Sequence, residues 1–171
     1  MMTMDDVARL QQPCDPAQEW VTAQPNQSLG ALWLTCPRGD WLLWLAEVAR
    51  VDVRVIGYWC AERVRQAAIL ALTEAGVECG ALQACAPIVD RYTAAVAAAE
   101  AEAAAFATRD AAAWTTASFA ASSASSAPDS ASAAAAAAAD AEEAHQAIAD
   151  HVRAEITYAQ IEAGLRARLE A

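Results

Sequence analysis

Two histidines, five cysteines and a group of tryptophans flanked by arginines are the residues of this chain best suited to chemistry. His145 and His151 stand six residues apart, about 120° out of register on a helix. The pair cannot hold one metal ion without outside ligands, and both read as members of a solvated polar face. Glu142 and Glu143 beside His145 suggest acid–base work, but carboxylates at a helix start are the usual complement to its dipole. Cys14, Cys36, Cys60, Cys79 and Cys85 are odd in number and contain no Cys-x-x-Cys pair, which argues against a disulfide framework or a zinc knuckle. They read as small buried hydrophobes. A glycine-rich phosphate loop, a Gly-x-Ser-x-Gly elbow and a His-Glu-x-x-His pair are all missing from the sequence. The expectation is a protein that is no enzyme and uses neither metal nor cofactor.

The tryptophans are a different matter. Five of the six fall within the first 59 residues. Trp41, Trp44 and Trp59, with Arg38 close by and Arg63 one turn after Trp59, could build a pocket that stacks a flat ring and holds an anion. Against that stands a tryptophan-rich core. Trp41 and Trp59 sit on expected inner stripes, whereas Trp44 lies off the centre of its stripe and is the better exposed anchor.

The elements that must position these residues follow from composition. Residues 94–139 hold 26 alanines in 46 positions, and alanine favours helix while leaving little bulk to pack. The chain of 171 residues carries 11 Arg, no Lys and 22 Asp plus Glu, a formal net charge of −11. Such a surface repels nucleic acid and membrane headgroups and favours basic partners. The first residues lack a secretion signal and no apolar run spans a bilayer, so a cytoplasmic protein is expected. The fold class expected is all-α. It comprises a Pro-broken N-terminal arm over residues 1–27, which wraps rather than forms core, and one Ala-rich helical bundle over residues 28–171.

Within the bundle, Ser28 caps a short helix bearing Leu29, Leu32 and Trp33, and Asp40 caps the next, with Trp41, Leu42, Leu45, Val48 and Ala49 as its apolar stripe. A turn at Arg50 to Asp52 leads to the central strut, whose stripe reads Ile56, Trp59, Cys60, Val64, Ala67, Leu70 and Ala71, with Glu62, Arg63, Arg65 and Gln66 opposite. Gly76 and Gly80 bracket its end. Pro87 opens a long helix through Ile88, Val89, Tyr92, Val96 and Phe106. The Ser-rich stretch predicts a break from about Ser118 to Asp129. Pro128 then starts a last long helix carrying Ile148, Val152 and Ile156, followed by a short one with Ile161 and Leu165.

The segments Asp40-Trp41-Leu42-Leu43-Trp44-Leu45-Ala46, Val51-Asp52-Val53-Arg54 and Trp59-Cys60-Ala61-Glu62-Arg63-Val64 resemble the opening helices of Ala-rich immunity proteins, the Imm-five-like group, of actinobacteria and their phages. Ala149-Asp150-His151-Val152-Arg153 with Ile156, Ile161 and Leu165 resembles their closing segment. The chain departs from them between Thr73 and Gln83, which lack the basic turn common there, and at His151, where an aliphatic residue is usual. The resemblance implies an all-helical, non-enzymatic protein that neutralises a toxin or effector by binding it.

On that expectation, Asp140, Glu142, Glu143, Asp150 and Glu155 form an acidic face that docks on a basic protein such as a nuclease toxin. Two alternatives stay open. One is a phage anti-defence protein that sequesters a small nucleotide signal with Arg38, Trp41, Trp44, Trp59 and Arg63. The other is a structural component that forms homo-oligomers through its Ala-rich helices.

Overall fold

The computed structural model describes residues 2–26, 28–107, 127–138 and 140–171. Ten helices run through these residues: α1 (Met4–Ala8), α2 (Asp15–Thr22), α3 (Leu29–Thr35), α4 (Gly39–Val48), α5 (Arg54–Glu74), α6 (Gly80–Ala84), α7 (Arg91–Ala107), α8 (Ala127–Ala136), α9 (Ala141–Glu155) and α10 (Tyr158–Leu169). Among the described residues there is no strand, only one isolated antiparallel bridge between Thr3 and Ser28. The protein is an all-α helical bundle.

The centre of the bundle is α8, which packs against α4, α5 and α9, while α9 also touches α4 and α5. Ala127, Ser130, Ala131, Ala133, Ala134 and Ala135 of this ten-residue helix are all buried. Its buried positions are methyl groups and one hydroxyl, and side chains that small let three neighbours close in. Gly57 of α5 shows how close: a Cβ added there would lie 3.0 Å from the Cβ of Ala127. At the far end of α4, a Cβ on Gly164 of α10 would collide with the carbonyl of Ala49.

Several expected elements are displaced. The expected Ser-rich break lies outside the described residues up to Ser126; from Ala127 the chain is helical, with Pro128 in the first turn where its missing N–H is harmless. The expected last long helix is two helices. Asp140 interrupts it as an N-cap, accepting from the amides of Glu142 and Glu143 at 3.0 Å each. Pro87 does not open α7, which begins at Arg91. There Thr93 N–H donates to the Asp90 carboxylate at 2.8 Å, a local cap that fixes the start. The packed face of α7 is Ala94, Ala97, Ala101, Ala104 and Ala105. Val89, Tyr92, Val96 and Phe106, expected on its inner face, are exposed.

The stripe of α5 is also rotated. Leu70, expected inside, is 60% exposed, whereas Leu72 is fully buried and Arg65, expected on the polar side, is 5% exposed. Arg65 pairs with Glu62 through Nε at 2.9 Å and Nη2 at 2.6 Å, and its Nη1 donates to the Leu82 carbonyl at 3.0 Å. Glu62 in turn accepts from the Ile88 amide at 3.0 Å. This network ties α5 to the end of α6 and to the segment entering α7, and it is why a charged residue lies inside. The N-terminal segment also departs from expectation: Met2 and Val7 belong to the main core, so it contributes packing as well as cover.

Other readings match. Ser28 accepts from the Ala31 amide at the start of α3, and Gly76 ends α5 with a φ of 69°, the left-handed conformation that glycine adopts without a steric penalty. Ile148, Val152, Ile156, Ile161 and Leu165 are buried.

Candidate functional site

The tryptophan-rich N-terminal half builds a strongly apolar cleft. Short helices α1, α2 and α3 cannot bury all their large side chains against one another, and they lean on the first two turns of α4. Trp33 fits fully inside, at 2% exposure. Trp20, Trp41 and Trp44 are only half-buried and, with Met4, Val21 and Leu45, they line a half-open cleft of about 40 Å³. Trp20 and Trp41 meet with ring centroids 6.0 Å apart and planes tilted by 57°, within the range of favourable edge-on aromatic contacts.

The local sequence explains the mouth. Cys36-Pro37 ends α3, and Arg38 enters α4 in extended conformation, with no side-chain cap. Asp40, expected to be that cap, is instead held by Arg38, whose Nε and Nη2 donate to its two oxygens at 2.9 and 2.7 Å. The paired guanidinium lies over Trp41, 5.0 Å from the ring centroid. The positive charge over Trp41 is therefore already matched by a carboxylate. Behind Asp40, across the α4–α9 interface, stands His145, with Nδ1 3.5 Å from Asp40 Oδ1. His145 was expected on a solvated face but is 8% exposed, because the close approach of Gly39 to Ile148 and Ala149 presses α9 onto the start of α4. Its Nδ1 is buried with no hydrogen-bond partner. Burial, countered by Asp40 and reinforced by the Arg38 charge, holds its pKa below 6.5.

Nearby, Arg153 of α9 donates from Nε to the Trp33 carbonyl at 3.0 Å and from Nη2 to the Cys36 carbonyl, satisfying the end of α3. Arg168 of α10 donates likewise to the Val48 carbonyl at the end of α4. Arg65, Arg153 and Arg168 thus serve as ties between elements. Burial pushes the Cys36 thiol up to about 11 and the Cys60 thiol to about 12, as expected of buried, unreactive cysteines.

The five residues expected to share a ligand pocket fall into two groups. Trp41 and Trp44 line the cleft, and Arg38 lies over Trp41 without lining it. Trp59 and Arg63 lie on α5, where the Arg63 guanidinium sits 4.9 Å from the Trp59 centroid and the His151 ring lies 4.3 Å away at 30°. His151 is therefore half-buried against an aromatic ring rather than part of an open polar face. Trp20 and Trp33, which were not assigned to a site from sequence, complete the cleft and its floor.

The acidic residues are all exposed, but they do not share one face. At about 100° per residue, Glu143 and Asp150 point away from the buried stripe of α9, whereas Glu142 and Glu155 lie on opposite flanks. Asp140 is engaged as the cap, and Asp150 accepts from Gln146 and Arg153 at 2.9 Å each. A broader, polar groove lies between α1 and α2, but its amides are used locally: Gln12 and Gln18 donate to the Ala8 and Pro13 carbonyls.

Among the described residues no helix is long and apolar enough to cross a membrane, and no group of three or more His, Cys, Asp or Glu is placed to hold a metal ion. Compared with family models, with curated proteins and with solved structures, the chain matches none.

Proposed function

We propose that this is a non-enzymatic binding protein of the immunity type, which neutralises a basic toxin or effector by direct binding, with the aromatic cleft between α2, α3 and α4 as its anchor point. The observation that carries this reading is the cleft itself: three half-buried tryptophans around an apolar opening, in a chain of net charge −11. Tryptophan is enriched among the residues that dominate protein interfaces, where a rigid ring gives large contact area at low entropic cost. The surrounding negative charge would raise the rate of encounter with a cationic partner.

The size and chemistry of the cleft favour this over nucleotide capture. A cavity of about 40 Å³ admits the end of a side chain, whereas small-molecule sites run to roughly 300–1,000 Å³. The residues that line it include no cation to hold a phosphate.

The test is association kinetics with a basic protein captured from host cells. Trp44→Ala should weaken binding at least about tenfold, mainly through faster dissociation. Glu142→Gln with Glu143→Gln and Asp150→Asn should slow association and flatten its salt dependence. Binding that ignores both salt and Trp44, or a nucleotide that binds in calorimetry and is lost with Arg63→Ala, would displace this reading.

A further inference from the structure

The helix α7 has two faces of different chemistry. Its buried alanines seat it on α5 and α6. Tyr92, Val96, Ala99, Ala103 and Phe106, spaced four, three, four and three, are all exposed. At about 100° per residue they lie within about 40° of one line along the helix, directly opposite the buried alanines. That spacing is the period of a helix-pairing seam, in which apolar side chains insert between those of a facing helix. The carboxylates Glu100 and Glu102 flank the line, about 80° to either side. Among the described residues no helix covers it.

The seam reads nearly the same in both directions. An aromatic ring stands at each end, and Ala99 stands midway between Tyr92 and Phe106. Turning a second copy end for end about an axis beside Ala99 sets Tyr92 opposite the partner's Phe106, Val96 near the partner's Ala103 and Ala99 opposite the partner's Ala99. Methyl groups at the centre let the two helix axes approach to the short end of the usual 8–10 Å separation, while the rings close the ends. A patch that complements itself in this way suits the isologous contact of a two-fold dimer.

We propose that this face of α7 is the contact of a two-fold symmetric, antiparallel homodimer. It shares no residue with the tryptophan cleft and does not depend on the reading of that cleft. An aromatic side chain can bury about 150–250 Å², so the rings of two copies, with the valines between them, approach the roughly 1,200 Å² at the low end of specific interfaces. The dimer is therefore weak and in exchange with monomer. Charge opposes it: each copy carries −11, and the two-fold axis brings Glu100 alongside the partner's Glu100. Salt screens that repulsion, so salt strengthens the pair, the reverse of what a basic partner on the same face would show.

The full chain tests this by sedimentation equilibrium from micromolar to submillimolar concentration, at low and at high sodium chloride. Wild type should pass from monomer to dimer, at lower concentration in high salt. Tyr92→Ser and Phe106→Ser, both at exposed positions that folding does not use, should each weaken the dimer at least about tenfold, because every substitution acts twice across the axis. Leu34→Ser, at an exposed apolar residue of α3, should leave it unchanged. The direction of pairing is read by disulfide trapping with oxidised glutathione, with the exposed Cys14 replaced by serine: Ala99→Cys should cross-link two copies and Phe106→Cys should not, whereas a parallel pair would trap both. A monomer at every concentration overturns the proposal, as does a dimer that salt weakens, one indifferent to Tyr92 and Phe106, or equal trapping at residues 99 and 106.

Discussion

The cleft formed by α1–α4 and the seat of α8 pack by opposite means. Around the cleft, large rings on short helices meet at angles, fill most of the space and leave an opening. Around α8, methyl groups on a regular helix let α4, α5 and α9 close in, so that a Cβ added at Gly57 would lie 3.0 Å from that of Ala127. The comparison teaches that bulk and burial are separate quantities. The smallest side chains of this protein bury six of the ten residues of α8, while Tyr92, Phe106 and Leu70 remain outside at 76%, 79% and 60% exposure. It also shows where recognition can reside: close packing of alanines leaves nothing to grip, and incomplete packing of tryptophans does.

Substitutions that add or remove bulk sharpen this contrast, and the largest effect should come from α5, which forms part of the seat of α8. Leu72→Ala should cost about 2–5 kcal/mol through lost burial and the cavity left behind, whereas Leu70→Ala, two residues earlier, should stay within about 0.5 kcal/mol as an exposed site. Urea melts of the two variants measure this directly; equal costs would mean that the helix is rotated from the orientation described.

On α8 the sign of the size change reverses. Ala131→Leu, at a fully buried position, should cost about 1–3 kcal/mol by overpacking. Ala136→Leu, at an exposed one, should be close to neutral. Tolerance of leucine at residue 131 would break the account of α8 as the closely sheathed centre.

The smallest effect expected is the pH dependence at the seam between α9 and the start of α4. The folded state keeps His145 below its ordinary value of 6.5, so the unfolded chain takes up the proton first. Stability present at neutral pH should decline as pH falls through 6.5. Thermal melts from pH 8 to pH 5 should show this decline in wild type and less of it in His145→Gln; an identical slope in both would remove His145 as the cause.

The alternation of large side chains made much of the fold legible. Helices with leucine, isoleucine and valine at spacings of three and four, such as the stretch Ile148, Val152 and Ile156, were placed on the correct face because few rotations bury all of them. Alanine gives no such constraint. In α7 every face is mostly methyl, so the larger Tyr92, Val96 and Phe106 suggested an inner stripe that the packing does not use.

The same ambiguity joined α8 and α9 into one expected helix until the Asp140 cap is seen in place. At the site, Trp41, Trp44 and Arg38 were recognisable from their types and proximity in the chain. The Asp40–His145 contact was not, because it pairs residues 105 positions apart and depends on the absence of a side chain at Gly39. Arg65, Arg153 and Arg168 were equally hidden, since a charged residue gives no sign in sequence that a distant helix end needs its hydrogen bonds.

The claim that the tryptophan-lined cleft is where this protein recognises its partner is tested most directly by hydrogen exchange on the complex. With a captured basic partner bound, the backbone of α2, α3 and the first turns of α4, residues 15–45, should gain protection, while α7 exchanges as in the free protein. Protection confined to α7, along the exposed side chains from Tyr92 to Phe106, with residues 15–45 unchanged, would contradict it.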